Sequence, residues 1–70
     1  MTSIPTVAEE YSKLAEHLRK AEEASYMLAH LVRAQGGTKD SAIADGWFAT
    51  GELLKRMLHQ VTQLAQGRLQ

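Results

Sequence analysis

Three histidines, eight acidic residues and eight basic residues carry whatever chemistry this 70-residue chain can perform. His17, His30 and His59 are the classical switch or ligand residues. No two are four apart on one helix, so the paired-ligand spacing of a helical zinc site is missing. Folding the chain about Thr38 brings His17 opposite His59. With Glu16 nearby, they would form a weak metal site or a pH-sensitive pair. Two solvent-facing flanking histidines is the reading the pattern favours. Acid–base catalysis needs a carboxylate tuned by burial or by a close like charge. Here the acids interleave with Lys and Arg, as on a solvated helix face. No strand-to-helix elbow or third group supports a Ser or Thr nucleophile, and Gly36-Gly37-Thr38 is too short to cradle a phosphate. The expectation is a protein that is not an enzyme, with no cofactor and no metal.

The elements that would position these residues are two helices. Thr6-Val7-Ala8-Glu9 reads as a capping box, with Pro5 at the tolerated place just before it and 1–3 frayed. Glu9 and Glu10 suit the positive end of a helix dipole, and Arg33 suits the negative end. No Gly or Pro interrupts the chain from there to Ala34, and the good helix formers Ala, Leu, Glu, Lys and Arg dominate. Glu9–Lys13, Glu16–Lys20 and Arg19–Glu23 have the four-residue spacing of supporting ion pairs. The first helix is expected over about 6–35, roughly 42 Å long at its core length. Gly36-Gly37 stops it in the left-handed conformation. A turn over 36–40 follows, with Asp40 favoured as the next N-cap. The second helix is expected over about 41–66, ended by Gly67. Gly46 and Gly51 each cost roughly 1 kcal/mol in its interior. They mark either a kink or a close approach of another helix, and a continuous helix is favoured.

Both helices carry a heptad stripe. Val7, Tyr11, Leu14, Leu18, Ala21, Ser25, Leu28 and Val32 step 4-3-4-3, and so do Ile43, Trp47, Thr50, Leu54, Met57, Val61 and Leu64. Folding pairs Val32 with Ile43, Leu28 with Trp47, Ser25 with Thr50, Ala21 with Leu54 and Leu14 with Val61. The Ser25 and Thr50 hydroxyls would bond to i−4 carbonyls or to each other, as a register device. Met27 and Leu31 flank the first stripe, and Phe48, Leu53 and Leu58 the second. That is more apolar surface than one seam buries. The expected fold class is all-α: one antiparallel two-helix hairpin, dimerising into a four-helix bundle. Leu14, Leu18, Ala21, Ser25, Leu28, Trp47, Thr50, Leu54, Met57 and Val61 are its expected dimer or core residues.

Size supports association. Seventy residues make one small domain, which usually needs a disulfide, a metal or a partner as a staple. There is no cysteine. The first ten residues have neither the basic nor the apolar region of a signal peptide, and no apolar run approaches a membrane span of roughly 20 residues. A cytoplasmic protein without a membrane partner is expected. Formal net charge is zero, where nucleic-acid binders usually carry a basic surplus.

Two groups of residues are candidate partner-binding positions. Tyr26 and Phe48 gather near the turn, and aromatic residues are common interface anchors; Trp47 beside them is expected in the core. Arg19 and Lys20 lie opposite Lys55 and Arg56, a cation cluster that dimer symmetry would double. In size and topology the chain is similar to the plasmid copy-number regulator Rop, a small RNA-binding four-helix bundle. An RNA- or DNA-binding regulator is therefore the alternative to a protein-binding one. Glu16, Glu22, Glu23 and Glu52 are placed to neutralise the cluster, and no aromatic residue interleaves with it for base stacking.

Ser41-Ala-Ile-Ala-Asp-Gly-Trp-Phe-Ala-Thr-Gly-Glu-Leu-Leu, following a Gly-Gly turn, resembles small helical proteins encoded early in temperate phage genomes. In size and hairpin plan the chain is similar to the phage quorum-sensing anti-activators, which are short dimeric helical proteins. The resemblance implies an inhibitor that occupies the surface of a host protein, such as a LuxR-type transcription regulator or a type IV pilus ATPase. It assigns no functional residues.

Overall fold

In the computed structural model, which describes residue 4, residues 6–36 and residues 38–69, two helices run antiparallel. The expected frayed start over 1–3, Pro5 and Gly37 lie outside that range. Helix α1 spans Val7–Gln35 and α2 spans Thr38–Leu69.

The start of α1 follows from its capping residue. Thr6 has extended backbone angles, and its hydroxyl accepts a hydrogen bond from the Glu9 amide at 3.1 Å. That satisfies one of the donors every helix start leaves open. Gly36 ends the helix at φ 79°, ψ 37°, and its amide donates to the Arg33 carbonyl at 3.2 Å. A side chain there would strain the left-handed backbone.

Helix α2 differs from expectation at both ends. It begins at Thr38, so Asp40 lies inside its first turn and not at its N-cap, still where a helix dipole favours an anion. It passes through Gly67 to Leu69. It also runs unbroken through Gly46 and Gly51, so neither glycine breaks the helix.

The axial register is the expected one. Tyr26 meets Phe48, Arg33 reaches Asp45, and Ser25 meets the Trp47 backbone. The rotational phase is not. Apart from Tyr26, the residues of α1 that are buried or half-buried are Ala8, Tyr11, Ala15, Leu18, Glu22, Ser25, Ala29 and Val32, a 3-4-3-4 row. Its counterpart on α2 is Asp40, Ala44, Gly51, Leu54, Leu58, Val61 and Ala65. Tyr11, Leu18, Ser25, Val32, Leu54 and Val61 belong to both this row and the expected stripe. Leu14, Ala21, Leu28, Thr50 and Met57 do not: each is exposed, and its neighbour one position on takes the seam. Trp47 is also exposed, at 38 %.

Size explains the shift. Leu18, Ala29 and Ala44 are the buried apolar residues, Ala44 completely, and Ser25 and Gly51 are buried with them. Small residues let two helix backbones close on one another, and larger ones would hold them apart. Inside the seam the Ser25 hydroxyl donates to the Trp47 carbonyl at 2.6 Å. Thr50 donates to the Gly46 carbonyl four residues back at 2.9 Å, one of the two arrangements expected of it, and not to Ser25. Arg33 and Asp45 add an exposed ion pair between the helices at 2.6 Å, which such exposure limits to roughly 0–1 kcal/mol.

Candidate functional site

The small-residue seam leaves the large apolar residues outside. On α1, Val7, Leu14, Ala21 and Leu28 recur every seven residues just beside the seam row. On α2, Ile43, Thr50, Met57 and Leu64 do the same. In each helix this second row precedes the seam row by one residue. For antiparallel right-handed helices, equal offsets turn to the same side. Both rows therefore share one broad face of the hairpin. Leu14 is 44 % exposed, Met57 43 % and Leu64 56 %, while Trp47 sits where this face meets the seam. No charged residue belongs to either row.

The opposite face is built differently. The Tyr26 ring lies over Gly51, where an added Cβ would stand 2.7 Å from a ring carbon. Gly51 is thus the glycine of close approach, whereas nothing lies within 4 Å of a Cβ at Gly46. Tyr26 packs against Phe48 with ring centroids 5.4 Å apart and planes tilted by 54°. That is a favourable aromatic geometry. Phe48 remains 51 % exposed. Partial burial pushes the Tyr26 phenol above its ordinary pKa, and hydrogen bonding and charge from Glu52, with Glu22, act in the same direction.

Beside this pair an open groove of ≈ 740 Å³ runs along α2, lined by Glu22, Glu52, Lys55, Leu58 and His59 among others. Its volume is that of a ligand pocket, but its charged walls and shallow form are not. His59 faces this groove. His17 lies three residues from Leu14 and four from Ala21, beside the other face, so the two histidines do not converge. Among the described residues, no group of three or more His, Asp or Glu is placed to hold a metal ion.

The expected cation cluster is divided. Arg19 binds Glu16 at 2.6 Å and Glu23 at 3.2 Å, and Lys20 lies 3.9 Å from Glu16. The hydrogen bond from Arg19 holds the Glu16 carboxyl below its ordinary pKa and raises that of Arg19. Lys55 and Arg56 line the groove and make no ion pair among the described residues. Lys13 pairs with Glu10 at 3.3 Å, where Glu9 was the expected partner.

Together these features define an all-α antiparallel helical hairpin with one apolar and one mixed face. No helix among the described residues is long and apolar enough to cross a membrane. Comparison with known proteins finds no matching family model, no matching curated protein and no matching solved structure.

Proposed function

We propose that this protein is a small homodimeric helical adaptor of the cytoplasm, which binds another protein and modulates it without chemistry of its own. One observation carries the reading: the hairpin closes on small residues, with Ala29, Ala44, Ser25 and Gly51 buried, and leaves most of its large apolar side chains outside. Apolar patches of that extent mark surfaces that another protein covers. Phe48, half-exposed on the Tyr26 ring, is the anchor for the modulated partner, on the face away from the apolar rows. An aromatic residue held by a second ring loses little freedom on binding. The resemblance of the chain, in size and hairpin plan, to phage anti-activators favours a host protein as that partner, held so as to inhibit it.

The test is capture from a lysate of the cell in which the protein is made, with wild type and Phe48→Ser as baits. The expected result is one stoichiometric partner, retained by the wild type and lost by the variant. A wild type that retains nothing, or a variant that retains as much, overturns the reading. Lys55 and Arg56, which make no ion pair among the described residues, favour the nucleic-acid alternative. A gel shift at low salt that moves RNA or DNA, weakening steeply as salt rises, would establish it instead.

A further inference from the structure

The apolar face is self-complementary. Ala21 stands at the midpoint of α1, seven residues from Leu14 on one side and from Leu28 on the other. The α2 row is centred between Thr50 and Met57, with Ile43 and Leu64 outermost. These two centres lie at the same height in the hairpin. Tyr26 packs on Phe48 and Gly51. Five residues back along α1 is Ala21, and five forward along α2 is the segment between Thr50 and Met57.

A two-fold axis lying in this face, across both helices at that height, therefore maps the α2 row onto itself and Leu14, Ala21 and Leu28 of the α1 row onto one another, with Val7 level with Gln35. It sets Ala21 against Ala21, Leu14 against Leu28, Ile43 against Leu64 and Thr50 against Met57. Leu14, Leu28, Ile43 and Leu64 each meet an apolar neighbour, and Met57 meets the methyl-bearing Thr50. The smallest residue of the α1 row sits on the axis, where two helices must come closest. The alternative turns the second copy about the long axis, leaving both turns at one end and α1 over α2. That sets Ala21 level with the gap between Thr50 and Met57, and Leu28 level with Trp47, so that no small residue lies on the axis.

We infer that the occupant of this face is a second copy of the chain, turned end for end about an axis through Ala21. The hairpin spans 53 × 28 Å across this face and is 11 Å thick, a single layer of helix. A standard interface needs only about 800 Å² from each partner. Stacking two such layers gives a four-helix bundle in which α1 crosses α1 of the partner and α2 crosses α2. The Tyr26–Phe48 pair and the Lys55–His59 groove remain on the two outer surfaces. This inference rests on the reading of the protein as a homodimer, and it names the face and the register of that dimer.

Disulfide trapping tests it, because the chain has no cysteine of its own. Ala21 is exposed on the hairpin, so the Ala21→Cys variant leaves the fold of each copy intact. A disulfide requires Cα atoms within about 7 Å. Mild oxidation is expected to convert the Ala21→Cys variant to a covalent dimer of twice 7.8 kDa. The Leu14→Cys variant is expected to stay uncrosslinked, since its two thiols lie roughly 21 Å apart along the bundle. Combining Leu14→Cys with Leu28→Cys restores the bond. A wild type that sediments as a dimer, with an Ala21→Cys variant that does not crosslink, overturns the inference and leaves the homodimer standing. A wild type that sediments as a monomer overturns both.

Discussion

Leu18 and its row of alanines on one side of the helices, and Leu14 with its row of larger residues on the next, reverse the usual relation between size and burial. The seam holds Ala29, Ala44, Ser25 and Gly51. The neighbouring face holds Val7, Leu14, Leu28, Ile43, Met57 and Leu64, all substantially exposed. Two helices enclose few large side chains, Leu18 being the one large apolar residue buried among the described residues, because a single layer offers each one neighbour on one side only. They can close tightly on small ones. The seam sets the shape of the hairpin, and the face holds most of the apolar area available for stabilising it.

The comparison breaks most sharply where a charge enters the face. In the proposed dimer, Ala21→Glu places two carboxylates against each other on the two-fold axis and should weaken association by about 3 kcal/mol or more, over a hundredfold. Sedimentation equilibrium reads this as loss of the dimer, while the same charge at Phe48 leaves it. In the seam, Gly51→Ala should destabilise by about 1–2 kcal/mol. The new methyl drives Tyr26 off its site, and this strain outweighs the roughly 1 kcal/mol that alanine contributes to a helix. Thermal or urea unfolding measures it. Ser25→Ala removes the bond to the Trp47 carbonyl and should cost about 1 kcal/mol in the same assay.

The remaining two effects are smaller or opposite in sign. Gly46→Ala meets open space and should stabilise by up to about 1 kcal/mol. The pair of glycine variants thus separates the packed glycine from the free one. Glu16 sharpens the contrast with the solvated surface. Its carboxyl is held below the ordinary value by Arg19, so its contribution is complete above the ordinary carboxylate pKa. It is lost as pH falls through the lowered value. Glu16→Gln should flatten the acid limb of the stability curve slightly and leave neutral pH nearly unchanged. Melts at graded pH between the two variants check this.

Much of the hairpin was legible in the residues. Thr6, Glu9 and Gly36 announce the limits of α1, and the turn sets which residues of the two helices lie level. The rotational phase was not legible. Tyr11, Leu18, Ser25 and Val32 fit both rows, so the choice fell between Leu14 and Ala15, Leu28 and Ala29, Ile43 and Ala44, Met57 and Leu58. Preferring the larger residue assumes that size decides burial, and that holds only where a third element covers it. The small-residue row of Ala15, Ala29, Ala44 and Gly51 was the available signal. The Tyr26–Phe48 pair was named from its aromatic content. The Ser25–Trp47 carbonyl bond and the Arg33–Asp45 pair were missed, because a cross-helix bond depends on the phase.

The central claim is that the hairpin is completed by a second copy. The most direct test is the dependence of the melting temperature on protein concentration, followed by helical circular dichroism from about 1 to 100 μM. A homodimer that unfolds with dissociation predicts a midpoint that climbs steadily with concentration. A midpoint that stays fixed across that range, with the mass of a single chain, would contradict it.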